Sequence, residues 1–401
     1  MKAELILKLF DAFNIQRWND QVRPTDLVEI DKHGHKMAIA YCLAMCESEI
    51  NGAKISWEDI IKGGVYELLR RTALSDIKSP VYRLIKNEFP DAYREMNSWA
   101  WSELELCLED GEMKTEIESY LVNGHTLENT ACRILDAAHV FASYWEWQII
   151  RNLNPASPYI VILDERVNND LEEHMDLVGI KKLVSRQKLL RFIDIVGRLR
   201  FQVRWGQTLR LPKTSVLGHS MFVACLTYFL TRQFNACEER IKNNFFGGLF
   251  HDLPESVTRD IISPVRKGVK GLEGVIKKIE TSLMEKEVFQ YLDTACKDEM
   301  SYYTTDEYCC KIKIDSAVSK KSIDEINREY NQNKYHPIDG ELIEVADKLS
   351  AYVEARLALK NGFQSEHLKH GEESLSSQYN EFRIAGIDVG ALFKKVNDLT
   401  K

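Results

Sequence analysis

The stretch "HSMFVACLTYFLTRQF", His219–Phe234, shows the pattern that decides the fold. Its apolar residues recur at spacings of three and four over a length too great for a strand, which is typical of a buried α-helix. The segments Glu273–Leu292 and Glu341–Leu359 repeat this pattern. Only "SPYIVILDE", Ser157–Glu165, reads as a strand or an extended linker. The sequence therefore predicts an all-α protein.

Composition limits the class of protein and its partners. The chain has 401 residues, of which 44% are hydrophobic, and no apolar run approaches the roughly 20 residues that cross a bilayer. The N-terminus lacks the apolar core of a secretory signal, and nine cysteines without a CxxC pair favour a reducing compartment. We therefore expect a cytoplasmic protein without a membrane partner.

The charge pattern points to a small ligand rather than to a nucleic acid. A net charge of −8 argues against binding to long nucleic acids, which present many phosphates. The stretch Lys181–Lys213 is nevertheless strongly basic. That local charge is interpreted equally well as affinity for a small phosphorylated ligand or as a solvated helix face.

The chain also repeats itself. Segments 15–40 and 202–224 both carry an Arg-Trp pair followed by a Gly-His-X-Met step, which aligns His35 with His219. This alignment continues without a gap to Pro80 and Pro264, and "AAHVFASYWEW" (137–147) then matches "VADKLSAYVEA" (345–355). Because three blocks recur in the same order, we predict two tandem helical domains related by a pseudo-two-fold duplication. The first copy is residues 1–151, the linker 152–185 and the second copy 186–401.

The second copy contains a set of residues suited to binding a metal. His219 lies in a predicted helix, His251 and Asp252 are adjacent, and Asp347 lies in a later helix. Two imidazoles and two carboxylates form a mixed nitrogen and oxygen set that suits a divalent transition metal. Four ligands with an open position would bind a water and generate a hydroxide nucleophile near neutral pH. A single histidine on an apolar helix is more often a core residue, so this interpretation depends on the whole set.

The extended motif is more specific than the His-Asp pair. Arg204-Trp205, "GHS" around His219, "HDLPESVTRDIISPVRK" (251–267) and the helix of Asp347 together resemble the HD superfamily of metal-dependent phosphohydrolases. Within it, they resemble the bacterial 5′-deoxynucleotidase branch. The resemblance implies two tandem HD-type helical domains, with His219, His251, Asp252 and Asp347 as ligands of a divalent ion (Mn, Co, Ni, Zn, Fe or Mg). It implies phosphomonoester hydrolysis of (deoxy)nucleoside 5′-monophosphates by a metal-bound hydroxide.

Two acidic residues take catalytic roles by this resemblance. Glu255 occupies the position that orients or activates the attacking water, and its place four residues after His251 would set both on one helical face. Asp260 matches a second acidic position, suited to assisting the leaving oxygen or holding the sugar. Asp260 is equally well explained as a turn cap before Ser263-Pro264.

The remaining matched positions would bind the substrate. Arg204 would grip the phosphate, since a planar guanidinium can hold two of its oxygens. Trp205 would pack against the sugar. The hydroxyl of Ser263 and the charge of Lys267 would add contacts to the phosphate. Taken alone, Trp205 would be a core residue and Arg204 a surface charge.

The first copy departs from the motif where the chemistry lies. Glu67-Leu68 replaces His251-Asp252, Arg71 replaces Glu255, and His139 replaces Asp347. We therefore expect a catalytically silent copy that completes the active pocket or binds a regulatory nucleotide through Arg17-Trp18. A different metal site is the alternative, formed by His35, Glu67, Asp136 and His139. We expect a homodimer, or a monomer in which the two copies form an intramolecular pseudo-dimer.

Other reactions remain open within the same superfamily. A dNTP triphosphohydrolase, a cyclic-nucleotide phosphodiesterase and an alarmone hydrolase use related metal chemistry on a different bond. A non-catalytic nucleotide-sensing protein is the alternative from another class, although the intact Glu255 and the full ligand set argue against it.

Overall fold

The fold is taken from a computed structural model that describes residues 1–122, 129–155, 157–259, 261 and 268–401. The helices of the first copy are α1 (Ala3–Phe10), α2 (Glu29–Asn51), α3 (Trp57–Leu74), α4 (Ser79–Glu88), α5 (Pro90–Leu104), α6 (Glu112–Leu121) and α7 (Asn129–Arg151). Between the copies lie α8 (Ile160–Glu172) and α9 (Val178–Val184).

The second copy begins with α10 (Lys188–Arg198), α11 (Val216–Thr231), α12 (Glu238–Phe250) and α13 (Glu255–Thr258). It continues with α14 (Leu272–Leu283), α15 (Thr294–Thr304), α16 (Ile323–Glu325), α17 (Gly340–Lys360), α18 (Glu366–Gln378) and α19 (Val389–Leu399). Short 3-10 segments are Asp11–Phe13, Glu105–Cys107, Leu199–Phe201, Phe289–Tyr291 and Asn333–Tyr335, and π segments are Met284–Val288 and Ile326–Tyr330.

The expected all-α class is confirmed. Among the described residues, strands occur only as two short antiparallel hairpins, β1 (Lys311–Ile314) with β2 (Ala317–Lys320) and β3 (Arg383–Ile384) with β4 (Ile387–Asp388). Within the same residues, none of the helices has the length and apolar character needed to cross a bilayer.

The expectation of a strand at Ser157–Glu165 is wrong, because most of this stretch belongs to α8. Ile160, Leu163 and Val167 recur at helical spacing and pack around Trp147 of α7. The indole of Trp147 also donates a hydrogen bond to Asp164 at 2.8 Å. The predicted linker 152–185 therefore contains two helices, of which α8 packs on α7 and α9 on α2. The division into domains stays a prediction.

The two copies share a local structure at their Arg-Trp pairs. Isolated backbone bridges Gln16–Val28 and Val203–Ser215 close loops of equal length. Inside each loop the tryptophan, Trp18 or Trp205, has a positive φ of 53° or 56°. This left-handed conformation is uncommon for a bulky residue, so its recurrence supports the correspondence of the two segments.

These loops fix the register of the helices that follow, and the alignment of His35 with His219 is wrong. Four residues after the bridge, the amide of Lys32 donates to Val28 and that of His219 donates to Ser215. Lys32 is therefore the structural counterpart of His219. The first copy has three more residues before the next motif position, since 67 − 32 = 35 whereas 251 − 219 = 32.

The centre of the molecule is formed by α2 and α11, which pack on each other. Every residue of α11 is buried, as expected for a helix that is apolar on all sides. One continuous hydrophobic cluster extends from the first copy into the second. Across the junction, the buried hydroxyls of Tyr66 and Tyr228 lie 3.1 Å apart.

The same register makes Asp31 and Gly218 counterparts, and they face each other at this junction. A Cβ built on Gly218 would lie 2.6 Å from Oδ1 of Asp31, too close to be accommodated without movement. The hydroxyl of Ser215 donates to the same carboxylate oxygen. Burial, the largest influence, raises the pKa of Asp31 to about 6.

Candidate metal centre and active site

Three predicted ligands of the second copy converge between helices α11, α12 and α17. His219, His251 and Asp347 are buried and offer ligand atoms that all lie within 4.8 Å of one another. The fourth predicted ligand also faces this group, since Oδ2 of Asp252 lies 3.5 Å from Nε2 of His219 and 3.3 Å from Nε2 of His251. The structure thus brings together all four residues.

Close helix packing positions the adjacent His-Asp pair. α12 ends at Phe250 and His251 caps it in a helical conformation, so both side chains lie at a helix end. A Cβ at Gly248 would lie 3.0 Å from the Cα of Ala224 on α11. Glycine at this position therefore permits α12 to approach α11 closely enough for His251 to reach the centre.

Hydrogen bonds outside the centre orient the imidazoles. Nδ1 of His251 lies 2.8 Å from the carbonyl of Gly248, and Nδ1 of His219 lies 2.9 Å from the hydroxyl of Ser350. A proton on each Nδ1 leaves Nε2 as the atom with a lone pair directed at the centre, as metal-binding histidines require. Asp347 is held by the hydroxyl of Tyr308 at 3.0 Å and the ammonium of Lys348 at 2.7 Å.

The atoms at the centre lack hydrogen-bond partners. Within the described part of the chain, Nε2 of His219, Nε2 of His251 and Oδ2 of Asp252 are buried and accept or donate no hydrogen bond. Buried polar atoms are rarely left unpaired, and each one calls for an explanation such as an ion. Two nitrogen and two carboxylate ligands fit a divalent cation.

Charges around the centre favour ionised carboxylates. The pKa of Asp347 is well below its usual range: burial, the largest influence, opposes this, but Lys348, His219 and His251 outweigh it. Burial, the largest influence, and Arg204 both disfavour the charged form of His219, yet the nearby carboxylates of Asp347 and Glu354 outweigh them and raise its pKa. The ionised carboxylate of Asp347 is thus suited to bind a cation.

Glu354 is a central residue that sequence reasoning missed. It is buried on α17, where Oε2 accepts a hydrogen bond from the indole of Trp205 at 2.6 Å. Its oxygens also lie 3.5 Å from Arg204 and Arg210 and 3.6 Å from Nδ1 of His219. The matched blocks contained a signal, since they align Glu354 with Glu146.

The predicted phosphate-binding Arg204 lies beside the metal centre. Its NH1 atom is 3.5 Å from Oδ2 of Asp252, and its Nε is buried without a hydrogen-bond partner among the described residues. Burial opposes its charge, but Glu354, Asp252, Asp347 and Glu255 raise its pKa further above the usual range. Arg204 is therefore a fixed cation that faces the centre.

Trp205 is held away from the protein core in a separate apolar cluster. Its ring packs near Ala355, Ala358 and Leu368, and a Cβ at Gly371 of α18 would lie 3.0 Å from it. The ring is half-buried, and the indole N–H is bonded to Glu354. The contact of this ring with a sugar stays a prediction.

The expectation that Glu255 shares one helical face with His251 is wrong. α12 ends before His251 and α13 begins at Glu255, so the two residues do not share one helix. Pro254 lacks the amide that a continuous helix would need, and tight turns take the place of the helix, in which the Glu255 amide donates to the Asp252 carbonyl at 3.0 Å. Glu255 is buried, its charge is among those that raise the pKa of Arg204, and its catalytic role stays a prediction.

The predicted residues Asp260, Ser263 and Lys267 lie outside the described residues. Their roles in catalysis and in substrate binding stay predictions.

In the first copy, the position of the metal centre is filled by basic side chains. Nζ of Lys32 lies 2.6 Å from Nδ1 of His139, the pair that corresponds to His219 and Asp347. Glu67 forms ion pairs with Arg70 and Arg71. His35 is instead buried against the carbonyl of Ile193 at 3.0 Å.

The alternative first-copy metal site is therefore not formed. Of the residues that the structure describes, only His219, His251 and Asp347 form a group able to hold a metal ion.

Comparisons with protein families agree with this arrangement. The family described as HD domain matches residues 196–376, and the family described as 5′-deoxynucleotidase YfbR-like matches residues 6–152. No curated protein matches the chain significantly. The two matches lie in tandem along the chain, which is consistent with two copies of the HD type. Both families indicate a phosphohydrolase.

Proposed function

We propose that the second copy hydrolyses the phosphomonoester of (deoxy)nucleoside 5′-monophosphates. The observation that carries the proposal is the convergence of His219, His251, Asp252 and Asp347, the four predicted ligands, beside the guanidinium of Arg204, which lies 3.5 Å from Asp252. In the reaction, water adds to phosphorus, the bond to the 5′-oxygen breaks, and inorganic phosphate and a nucleoside leave. A divalent ion held by His219, His251, Asp252 and Asp347 would supply Lewis acidity toward water and phosphate.

The protein residues supply the remaining requirements. Arg204 binds and orients the phosphate, because its planar guanidinium can donate to two oxygens and its charge balances theirs. Glu354 contacts Arg204 and Trp205 on the side away from the substrate and holds each side chain in one orientation. Glu255 accepts the proton of the attacking water, for which a carboxylate near the reacting group is suited. Trp205 offers a ring face to the sugar.

Product analysis tests the bond that is cleaved. The purified chain, loaded with Mn²⁺ or Co²⁺, is given dNMPs, NMPs, dNTPs and cyclic dinucleotides, and the products are separated by chromatography. Release of phosphate and nucleoside from monophosphates alone supports the proposal. Release of triphosphate from dNTPs, or cleavage of cyclic dinucleotides alone, replaces it with the corresponding hydrolase. Binding without any product identifies a nucleotide sensor.

Variants test the location of the site. His251→Ala and Asp347→Ala should lose both bound metal, measured by mass spectrometry, and phosphate release. Glu67→Gln, at the first-copy position of His251, should retain both. Full activity in purified Asp347→Ala protein would contradict the proposal.

A further inference from the structure

The first copy contains a cluster of basic side chains at the place that corresponds to the metal centre. Lys32 and Lys36 lie one turn apart on α2 and hence on the same face of that helix. Arg71 comes from α3 and His139 from α7, and these three helices pack on one another. Lys32 contacts His139 at 2.6 and 3.1 Å. The cluster Lys32, Lys36, Arg71 and His139 is called the cationic cluster below.

The nearby carboxylates are already engaged by other cations. Glu29 and Glu146 are bound by Arg17, at 2.7 and 3.0 Å respectively. Glu67 is shared between Arg70 and Arg71. Within the described residues, Arg71 is thus the member of the cluster that is paired with a carboxylate, and neither Lys32 nor Lys36 has an ion pair within 4 Å.

Lys36 is a basic residue of the cluster without a partner in the part of the chain that the structure describes. The residue is only 4% exposed, yet across the described ranges its ammonium makes no hydrogen bond and no ion pair within 4 Å. The ammonium is not fully shut off from solvent, so an anion can reach it. Burial, the largest influence, and the charge of Arg71 lower the pKa of Lys36 against the opposing influence of Glu67 and Asp136. An anion bound beside Lys36 would favour its charged form.

The side of the cluster formed by α7 is partly exposed to solvent. His139 is half-buried, and Asp136, one turn earlier on the helix, is exposed. Arg17 and Trp18 are not available in the same way, since both donate hydrogen bonds to Glu146 and Trp18 stacks on Trp147. A ligand would therefore be held by the cationic cluster rather than by the Arg-Trp pair.

We infer that the first copy binds the phosphoryl group of a small phosphorylated ligand at the cationic cluster, through Lys36, Lys32 and Arg71 and without a metal ion. Ammonium and guanidinium groups are the side chains that bind phosphate by charge and hydrogen bonds. Their place corresponds to the metal centre of the second copy, so both copies would accept the same chemical group. This inference does not depend on catalysis by the second copy.

Calorimetry on the full chain tests the inference under conditions that separate the two copies. Metal is removed with EDTA, and inorganic phosphate, dAMP and deoxyadenosine are titrated separately. We expect binding of about one equivalent of dAMP or phosphate and none of deoxyadenosine. Equal affinity for both anions would identify phosphate as the ligand, and tighter binding of dAMP would identify a nucleotide.

Variants then locate the bound anion. Lys36→Met should weaken binding by at least about tenfold, because a charge-assisted contact is lost. Lys36→Arg should retain it. Circular dichroism melts check that Lys36→Met is folded, which the apolar, unbranched methionine side chain favours. Failure of both anions to bind, or binding unchanged in Lys36→Met, would overturn the inference.

Discussion

Replacing Glu354 with glutamine removes one negative charge from the centre of the second copy while preserving its shape. The amide oxygen can still accept the hydrogen bond of Trp205, but Arg204 and Arg210 lose the carboxylate that lies 3.5 Å from each. Breaking a buried ion pair from one side costs about 3 kcal/mol. For 401 residues the entropy of unfolding is about 0.8 kcal/mol/K, so the melting temperature should fall by about 4 °C.

The same substitution should also reduce activity. Arg204 lies between Glu354 and Asp252, and without Glu354 it is free to move toward Asp252. Since a misplacement of 1 Å can cost about 10²-fold in rate, kcat/KM for phosphate release should fall by about that factor at 25 °C. The assay is phosphate release with metal content measured on the same sample.

Glu146→Gln is the matched control. Glu146 of the first copy has the same kind of partners, since it accepts hydrogen bonds from Arg17 and Trp18 of its own copy and from Arg200 of the second copy at 2.7 to 3.0 Å. It should lower the melting temperature to a similar extent and leave kcat/KM unchanged. If both variants lose activity equally, or if Glu354→Gln keeps full activity, Glu354 does not position Arg204 for catalysis.

Three further predictions follow from the same geometry. Glu255→Gln should retain its metal, measured by mass spectrometry, and lose at least about 10²-fold in kcat, as expected for a lost proton acceptor; an unchanged kcat would rule out that role. Burial, the largest influence, would raise the pKa of Glu354, but Arg204 and Arg210 outweigh it and hold this pKa below its ordinary 4.5. The ionised Glu354 therefore contributes its full stabilisation above pH 4.5, and this contribution decreases as the pH falls below that value. Melts of the unmodified chain and Glu354→Gln should therefore differ most at pH 7 and converge toward pH 3, and a constant difference would contradict this. Finally, Glu67→His combined with Leu68→Asp should not add a second metal equivalent while Lys32 is present, and metal analysis of that double variant checks this.

Much of the site was predictable because its signals are local or follow from the family motif. Helical periodicity indicated α11 and α17, and the spacing of the matched blocks indicated which residues they would present. The predicted alignment of His35 with His219 is wrong because a shift of three residues rotates a helix by only about 60° and nearly preserves the apolar pattern. The periodicity of apolar residues does not detect such a shift. The backbone bridge Gln16–Val28, which corresponds to Val203–Ser215, shows that Lys32 is the counterpart of His219.

Other features depend on contacts that no local pattern encodes. The role of Glu354 arises because Arg204 and Arg210, about 150 positions earlier in the chain, approach it in space. Likewise, "SPYIVILDE" is rich in β-branched residues but forms a helix, since Trp147 provides an apolar surface for one of its faces. Tertiary packing decides the structure in both places.

The contact between Asp31 and Gly218 is an arrangement that two fused copies can form and a symmetric homodimer cannot. In a symmetric homodimer, residues on the two-fold axis meet their own copies, so an aspartate there would face a second buried aspartate and a glycine would face a second glycine. The first arrangement sets like charges together, and the second leaves a gap. A single gene that encodes both halves can place a carboxylate on one side and the space for it on the other. Each half can therefore evolve side chains that fit the other half and need not keep the same residues as the other half. One centre can then lose its metal ligands while the other centre keeps them.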